Sequence, residues 1–295
     1  MNKTTGFLQL MRPANVVTSV ADVLAGVAIS GFFTGIVFDE ACLPIILICI
    51  STAALYGGGV VFNDVFDYQL DKIERPERPI PRGTISFGEA ATFGTLLLLI
   101  GIIAAFLISV LSGIFAIAIS VAALVYNKFS KHHPVVGPLN MGLCRGLNLL
   151  LGISIVNAAI SEWWFLAFIP IIYIAAITMI SRGEVHGGRK DVLSGAMFLY
   201  LAVIGCFFYF SFDRHQFLIS LPFIVAFAWM IFTPLLKAIK NPVAGNIRKS
   251  VKSGVIAIIL LNASWAAVFG MLYLALVIVL LLPLSMWLAK KFAVT

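Results

Sequence analysis

The stretch that decides the fold runs from an apolar segment into an acidic one: Gly57-Gly-Gly-Val-Val-Phe-Asn63-Asp-Val-Phe-Asp67-Tyr-Gln-Leu-Asp71. The preceding residues, from position 41 onward, carry no charge and are long enough to cross a bilayer, since about 20 residues of helix span the hydrocarbon core. Asn63, Asp67 and Asp71 then recur at every fourth position, which places them on one face of a helix. The stretch therefore predicts a membrane-spanning helix that ends in an acidic stripe.

The rest of the chain repeats the apolar pattern. Of its 295 residues, 61% are hydrophobic and only 11% are charged, whereas a soluble domain carries about 25% charged residues. In lipid, backbone polar groups must be bonded within the chain, which favours helices. We predict one domain, residues 1–295, that folds as an all-α polytopic transmembrane bundle of nine or ten helices. The ten spans are 14–35, 41–62, 88–110, 113–129, 138–158, 163–181, 192–212, 216–236, 252–270 and 272–289, and the nine-span version merges the last two.

Basic residues are distributed unevenly between the two sides that these spans define. With the N-terminus in the cytoplasm, the loops on that side hold almost all lysines and arginines, whereas Arg214 falls on the other side and Arg145 lies within a span. This asymmetry follows the positive-inside rule, and it favours ten spans because Lys290 and Lys291 are then cytoplasmic. The net charge of +7 thus reflects topology, and no nucleic-acid partner is expected.

The loops suggest an internal repeat of four helices. The fourth span ends in Tyr126-Asn-Lys-Phe-Ser-Lys131 and the eighth ends in Phe232-Thr-Pro-Leu-Leu-Lys237, so both place an aromatic residue five positions before a lysine. Polar loops also follow the second and sixth spans. We therefore predict two four-helix pseudo-repeats around a central cavity that opens on the cytoplasmic side.

The acids at the end of the second span indicate a metal site. Like charges on one helix face repel each other, and a hard divalent cation removes that repulsion. Mg2+ favours one or two carboxylates together with phosphate oxygens. A solvated helix end is the alternative, but acids beside a membrane span are functional candidates by default. We predict that the ligands of Mg2+ are Asn63, Asp64, Asp67 and Asp71.

A basic, proline-rich segment follows the acids directly, reading Arg75-Pro-Glu-Arg78-Pro-Ile-Pro-Arg82. Its prolines favour an extended and stiff chain, and the planar fork of arginine can bond two phosphate oxygens. Alone, such a loop would need no ligand. Beside the acidic stripe, the three arginines predict a cradle for a diphosphate.

Together these motifs resemble the UbiA superfamily of intramembrane prenyltransferases. The family signature is an Asn/Asp-x-x-x-Asp-x-x-x-Asp stripe after the second helix and an Arg-Pro-rich loop that ends in Gly-x-Ile, matched here by residues 63–71 and 75–85. Residues 12–15, Arg-Pro-Ala-Asn, also resemble the family's first helix. The resemblance implies a bundle around a cavity with lateral access from the lipid bilayer. It also implies Mg2+-dependent transfer of a prenyl group from an isoprenoid diphosphate to an acceptor.

The resemblance also assigns roles to individual residues. Asn63, Asp67 and Asp71 match the catalytic magnesium motif, and Lys131 matches a lysine that contacts the diphosphate. Two further positions, Asn15 and Asn140, stand where the family often has asparagines in its cavity.

The chain departs from the family after the sixth span, where a second stripe of the form Asp-x-x-Asp-x-Glu-Gly-Asp is usual. The matching residues 181–189 keep Glu184 as their one acid, and Ser181 and Gly188 stand where metal-binding aspartates are expected. Arg182 and Arg189 are therefore expected to meet the phosphate instead. His186, in the same loop, is expected to be solvated.

The fifth span contains an unusual polar run, Asn140-Met-Gly-Leu-Cys-Arg145-Gly-Leu-Asn148. A charge and two amides in a membrane helix should face protein or a cavity, either to bind substrate through Arg145 or to make interhelical hydrogen bonds. This run and the altered second motif resemble the operon-associated EboC-like subgroup of the superfamily.

The function expected from these features is that of a multi-pass membrane prenyltransferase with cytoplasmic catalytic loops and an unidentified acceptor. A prenyl-lipid carrier or scaffold without catalytic activity is the main alternative, because the second motif is altered. An ion-coupled transporter fits the span count, but its ion sites would lie near the bilayer midplane. The Asp-Gly-x-x-Ala-Arg signature of membrane alcohol phosphotransferases is absent.

Overall fold

The structure, a computed structural model, describes residues 2–34, 38–131, 133–185 and 187–292. Within these ranges the chain is helical and no residue lies in a β-strand, so the all-α prediction is confirmed. A π-helical turn (Tyr126–Ser130) extends α6, and a 3-10 turn (Trp164–Ala167) joins α8 to α9. The α-helices are α1 (Lys3–Met11), α2 (Pro13–Ile29), α3 (Phe38–Phe66), α4 (Tyr68–Glu74), α5 (Phe87–Phe106), α6 (Val110–Val125), α7 (Val136–Ile153), α8 (Asn157–Trp163), α9 (Phe168–Ser181), α10 (Lys190–Asp213), α11 (Phe217–Lys240), α12 (Ala244–Val268) and α13 (Leu272–Lys291).

Each of the ten predicted spans has its own helix. Eight segments among the described residues are long and apolar enough to cross a membrane, namely α3, α5, α6 with its π turn, α8 with α9, α10, α11, α12 and α13. The other two are α2, which has 17 residues, and the more polar α7. Gly270, with a φ of 79°, separates α12 from α13. The last two spans are therefore separate helices, as the ten-span version requires.

Helices α2 and α7 cross at the centre of the bundle with their backbones in close contact. A Cβ atom on Gly26 would lie 2.4 Å from the carbonyl oxygen of Leu149, and one on Gly152 would lie 2.3 Å from that of Val23. Small residues at such crossings let membrane helices approach and gain van der Waals contact. Since α2 also packs on α3, α12 and α13, it is the central helix of the fold.

The order of packing repeats along the chain. In the first half, α2 packs on α3, α3 on α5, and α5 on α6. In the second half, α7 packs on α9, α9 on α10, and α10 on α11. Helices α12 and α13 then close the bundle against α2. This is the arrangement that two four-helix pseudo-repeats predict.

The two halves differ in how their interiors are filled. The second half holds large aromatic side chains that are almost completely buried: Tyr173, Tyr200, Phe207, Phe227 and Trp265. Close packing of this kind leaves little room for a ligand. Space for a binding site inside the bundle is consequently found on the side of the first half.

Candidate functional site

A cavity of about 260 Å³ lies between α2, α3, α6, its π turn and α7. Its wall is partly apolar, with Leu55 and Ile119, and polar side chains line it at different depths. Thr52 and Asn63 both line it from α3, and their separation of eleven residues corresponds to about 16 Å along a helix. The bundle thus contains the expected cavity, displaced toward the first half because aromatic side chains fill the second.

Asn63 reaches the cavity at the end of α3 and is held there by the π turn. Its Nδ2 donates to Oδ1 of Asn127 at 3.0 Å, and Nδ2 of Asn127 donates to the carbonyl oxygen of Gly59 at 2.7 Å. A π-helical turn contains an extra residue and often marks a functional site. With its amino group engaged in this way, Asn63 can offer its amide oxygen to a cation.

Asp67 lies one helical turn beyond Asn63, at the short break between α3 and α4. Its backbone N–H still donates to the Asn63 carbonyl at 3.0 Å, so the predicted four-residue spacing is preserved. Its carboxylate forms an ion pair with Lys131, which follows the π turn directly. The side chains of Asp67 and Lys131 retain 16% and 12% exposure. The structure thus brings together the two residues that the sequence assigned to metal and diphosphate.

Asp64 and Asp71 face arginines instead of the cavity. Nη1 of Arg78 donates to Oδ2 of Asp71 at 2.7 Å and to Oδ1 of Asp64 at 3.1 Å. Nη2 of Arg12 donates to the same Asp64 oxygen at 2.7 Å. Asp64, Asp71 and Arg78 are all buried. The acidic stripe is therefore split between a cavity side and an arginine side.

The prediction of an extended arginine loop was wrong. The loop folds into consecutive turns, in which Arg82 donates its backbone N–H to the Arg78 carbonyl and Thr84 donates to the Pro79 carbonyl. Ile80 is buried and anchors these turns. Prolines are compatible with turns as well as with extended chain, and the buried Arg78 pairs decide between the two. The other two arginines of the predicted cradle, Arg75 and Arg82, are exposed.

Arg12 is a residue at the cavity that the sequence reading did not assign to the site. It lies between α1 and α2 with a φ of 49°, a left-handed conformation that is uncommon for a residue other than glycine. Its side chain lines the cavity next to Asn15, and its pair with Asp64 holds it there. The sequence did contain a signal for this residue. In the quoted Arg-Pro-Ala-Asn motif, the charged Arg12 stands directly before a membrane span that begins with proline.

The donor set fits Mg2+ together with a phosphate, because this ion takes one or two carboxylates and completes its shell with phosphate oxygens or water. Asp67 and Asn63 can supply one carboxylate and one amide oxygen on the cavity side. The Oδ2 atom of Asp64 is buried and has no hydrogen-bond partner among the described residues. No group of three or more His, Cys, Asp or Glu side chains in these ranges could hold a metal on its own.

A buried polar network forms the deep end of the cavity. Arg145 donates to Oδ2 of Asp22 at 2.8 Å and to Thr18 at 2.7 Å. Asn148 donates to the same Asp22 oxygen at 3.1 Å and accepts from Thr52 at 2.8 Å. Asn262 of α12 donates to the other Asp22 oxygen at 2.7 Å. Arg145 thus lines the cavity as a charge that is already paired, and it ties α7 to α2.

Asp22 was missed by the sequence reading. It is an isolated acid in the middle of the first span, and such residues usually face the interior of the bundle with a partner. Arg145 was recognised as unusual, but the 123 positions between the two residues concealed that they form a pair. Asn140 instead donates to Ser130 at 3.3 Å and accepts from Cys144, beside the π turn.

The loop after α9 lies at the same end of the bundle but outside the cavity. Arg182 donates to the carbonyl oxygen of Pro134, and Arg189 pairs with Asp191 while its side chain remains 80% exposed. Glu184 is part-buried, and this burial raises the pKa of its carboxyl despite the nearby charge of Arg248. His186 lies outside the described residues. The structure therefore does not bring the three residues predicted in this loop, Arg182, Glu184 and Arg189, into the cavity.

Packing explains why glycine stands where the second motif has an acid. A Cβ atom on Gly188 would lie 2.8 Å from Cδ1 of Ile247, and one on Gly183 would lie 2.6 Å from the same atom. The backbone N–H of Gly188 also donates to the Pro242 carbonyl at 3.0 Å. This loop thus packs closely against the start of α12, and a side chain at Gly188 would require the end of the Ile247 side chain to move.

Comparison with known proteins identifies the family and agrees with this fold. Residues 23–232 match the model of the UbiA prenyltransferase family. The chain is 30% identical over 190 residues to digeranylgeranylglyceryl phosphate synthase of Ignicoccus hospitalis, covering 63% of this chain and 59% of that relative. It is 27% identical to the enzyme of the same name from Methanobrevibacter smithii, over 85% of this chain and 94% of that relative.

A solved structure shares the arrangement of helices. A UbiA homolog from Archaeoglobus fulgidus, bound to GPP and Mg2+, superposes with a TM-score of 0.65 at 18% sequence identity, covering 90% of this chain and 99% of that one. This likeness supports the fold, and the family match covers well over half of the sequence. The chain is a multi-pass membrane protein that belongs to the UbiA prenyltransferase family.

Proposed function

We propose that the protein transfers a prenyl group from an isoprenoid diphosphate to an acceptor within the membrane, in a reaction that depends on Mg2+. The observation that carries this proposal is that Asn63 lines a partly apolar cavity, while Asp67 lies one helical turn beyond it and pairs with Lys131. Metal-binding oxygens and a cation suit the diphosphate, and the apolar wall suits the hydrocarbon tail. Membership of the family supports the same chemistry.

The side chains divide the binding of the diphosphate between them. Bound Mg2+, held by Asp67 and Asn63, would neutralise the diphosphate as the carbon–oxygen bond breaks and the leaving group takes the electron pair. Lys131 and Arg12 lie near these residues and would supply further positive charge. Such groups, positioned before the reaction, stabilise developing charge without reorganising.

The prenyl carbon that loses the diphosphate develops positive charge and needs a stabilising surface. Tyr126 lines the cavity between the metal-binding residues and α7, and an aromatic face attracts a cation. Tyr56 also lines the cavity, but its ring already lies 5.0 Å from the guanidinium of Arg145. Tyr126 is therefore the ring that we assign to the prenyl cation. The nucleophile of the acceptor then forms the new bond.

The acceptor is the less determined substrate. The named relatives are synthases of digeranylgeranylglyceryl phosphate, so a glyceryl phosphate ether is the first candidate to test here. A phenol or another alcohol would need the same prenyl donor site. The chain spans less than two thirds of the first of these relatives, and the panel of acceptors should therefore be broad.

The direct test is to measure binding of geranyl, farnesyl and geranylgeranyl diphosphate to the purified protein, with and without Mg2+. Binding that needs Mg2+ and is lost in Asp67→Asn is expected, followed by diphosphate release when an acceptor is added. Asp191→Asn is the matched control, because Asp191 is exposed and pairs with Arg189 outside the cavity. If none of these three diphosphates binds, the proposal is refuted.

A second candidate function is a prenyl-lipid carrier that binds without turnover. The specific observation in its favour is that the second loop brings no acid to the cavity, since Glu184 lies outside its lining. Under this proposal Mg2+-dependent binding would persist, and no acceptor in the panel would release diphosphate.

We also propose an orientation in which the N-terminus and the loops after α3, α6, α9 and α11 lie in the cytoplasm, in the cell membrane. At this end of the bundle, Arg75, Arg82, Lys131 and Arg182 lie in described loops and Arg248 lies near the start of α12, in agreement with the positive-inside rule. A reporter that is active only in the cytoplasm should be active when it is fused after residue 291, and a reporter that is active only outside the cytoplasm should be inactive there.

We treat residues 1–295 as a single domain, because α2 contacts helices from both ends of the chain.

A further inference from the structure

A second cavity, of about 750 Å³, lies on the outer face of α11 and α12, away from the candidate active site. Most of its wall is apolar and includes Val225, Trp229 and Met230. Lys237, Lys249 and Asn246 line it as well, where α11 ends and α12 begins. We call this cavity the α11–α12 groove. It combines a hydrocarbon surface with a cationic end, and the proposed reaction uses neither.

The groove has the length of a lipid chain. Its lining extends along α11 from Pro222 to Lys237, and fifteen residues of helix correspond to about 22 Å. One leaflet contributes about half of a hydrocarbon core of roughly 30 Å. The groove therefore extends from the level of the headgroups to beyond the middle of the bilayer.

The carbonyl of Met230, in the wall of the groove, is satisfied by the protein itself. Pro234 has no N–H to donate to this carbonyl four residues earlier. Ser253 of α12 replaces that bond by donating its hydroxyl to the Met230 oxygen at 2.7 Å. A hydrocarbon chain can therefore lie over this part of α11 without leaving the Met230 oxygen unpaired, as membrane proteins require.

The basic end of the groove suits an anionic group. Lys237 and Lys249 are both exposed, and α12 begins beside them at Ala244, so its first backbone N–H groups add positive potential. No atom lies within 4 Å of the position that a Cβ on Gly245 would occupy, which leaves this backbone accessible. Basic pockets between membrane helices on the cytoplasmic side bind anionic lipid headgroups.

We propose that the α11–α12 groove binds an anionic membrane phospholipid, with its phosphate at Lys237 and Lys249 and one acyl chain along Trp229. Charge complementarity selects this occupant, because a zwitterionic lipid would gain little from the two lysines and a soluble anion would leave the apolar wall unused. The basic end contacts the loop after α9 through the hydrogen bond from Gly188 to Pro242. This site is independent of the proposed prenyl transfer.

Trp229 allows a direct test, since its side chain is 74% exposed and lines the groove. The full-length protein is placed in phosphatidylcholine vesicles that contain brominated phosphatidylglycerol or brominated phosphatidylcholine at equal mole fraction. The signal of Trp229 is the difference between the wild-type protein and Trp229→Phe. We expect the anionic lipid to bind about fivefold to 25-fold more tightly, at about fivefold for each lysine near an anionic phosphate.

Two paired variants determine whether the groove causes the preference. In Lys237→Gln/Lys249→Gln, the ratio of the affinities for the anionic and the zwitterionic lipid should fall close to one. In Lys240→Gln/Lys252→Gln, this ratio should stay as it is in the wild-type protein. Lys240 and Lys252 are exposed at the same end but do not line the groove, and thermal unfolding confirms that each variant is folded. Equal quenching by both lipids, or a preference that survives in the first variant, would overturn the proposal. So would a Trp229 that neither lipid quenches, because a protein partner would then cover the groove.

Discussion

The Nη1 atom of Arg78 lies 2.7 Å from Oδ2 of Asp71, and these side chains are only 6% and 3% exposed. The same nitrogen reaches Asp64 at 3.1 Å. Asp71 of α4 and Asp64 of α3 therefore both hold the arginine loop, whereas Asp67 pairs with Lys131. Residues that are equivalent in the sequence pattern thus have different surroundings, and their substitution should have different effects.

We expect Asp71→Ala to reduce the free energy of unfolding by about 3 kcal/mol, because loss of one partner leaves buried charge uncompensated. Asp67→Asn should cost no more than about 1 kcal/mol, since its amide can still accept from Lys131. Unfolding curves of both variants in the same detergent measure the difference. Equal losses would contradict the division of the stripe into a structural and a ligand-binding part.

Lys131 should affect the metal and the diphosphate in opposite directions. In Lys131→Gln the carboxylate of Asp67 loses its cation, so Mg2+ alone should bind several-fold more tightly. The diphosphate should bind about tenfold more weakly, because a hydrogen bond between charged groups contributes about 1.5–3 kcal/mol. Titration calorimetry with Mg2+ and then with geranyl diphosphate separates the two effects.

Lys128→Gln is the matched control for this experiment. Lys128 belongs to the same π turn but is exposed and lies over the ring of Phe129 at 5.2 Å. Neither affinity should change by more than about twofold. Parallel weakening of both ligands in Lys131→Gln would show that the lysine acts by supporting the fold.

The Asp22–Arg145 pair should show strong energetic coupling. Asp22→Ala should cost about 3–5 kcal/mol because it leaves Arg145 charged, buried and unpaired. Asp22→Leu/Arg145→Met should be more stable than either single substitution, since neither charge then remains. A double-mutant cycle of unfolding free energies measures the coupling. Additive effects would show that the two charges do not interact.

Gly152 and Gly205 should respond in opposite ways to alanine. Gly152→Ala places a Cβ 2.3 Å from the Val23 carbonyl oxygen, and overpacking of this kind costs about 1–3 kcal/mol. Gly205 is exposed on α10 and has no atom within 4 Å of its Cβ position. Gly205→Ala should therefore gain up to about 1 kcal/mol from helix propensity. Melting temperatures of the two variants provide the comparison.

The helices and their order could be predicted because they depend on local properties of the chain. Apolar runs of about 20 residues specify membrane helices regardless of what they pack against. The positions of the basic residues, with Lys290 and Lys291 on the cytoplasmic side, were enough to favour ten spans over nine. The four-residue spacing of Asn63 and Asp67 likewise placed both on one helix face.

The ion pairs could not be predicted, because they join residues that are distant in the sequence. Asp22 and Arg145 lie 123 positions apart, and Arg12 and Asp64 lie 52 apart. Several acids were near each arginine of the loop in the sequence, so composition alone did not select a partner. The turns of the arginine loop were missed for the same reason, since a tertiary contact of Arg78 decides its conformation.

The sequence by itself determined the membrane fold and the four-residue spacing of Asn63 and Asp67, since these follow from hydropathy and helical periodicity, and its motifs carried the resemblance to the family. Only the tertiary structure decided which charges are available to a ligand. Asp71 is buried against Arg78, and a side chain at Gly188 would meet the end of Ile247. Charge availability depends on three-dimensional surroundings, because a buried charge must take the nearest opposite charge as its partner.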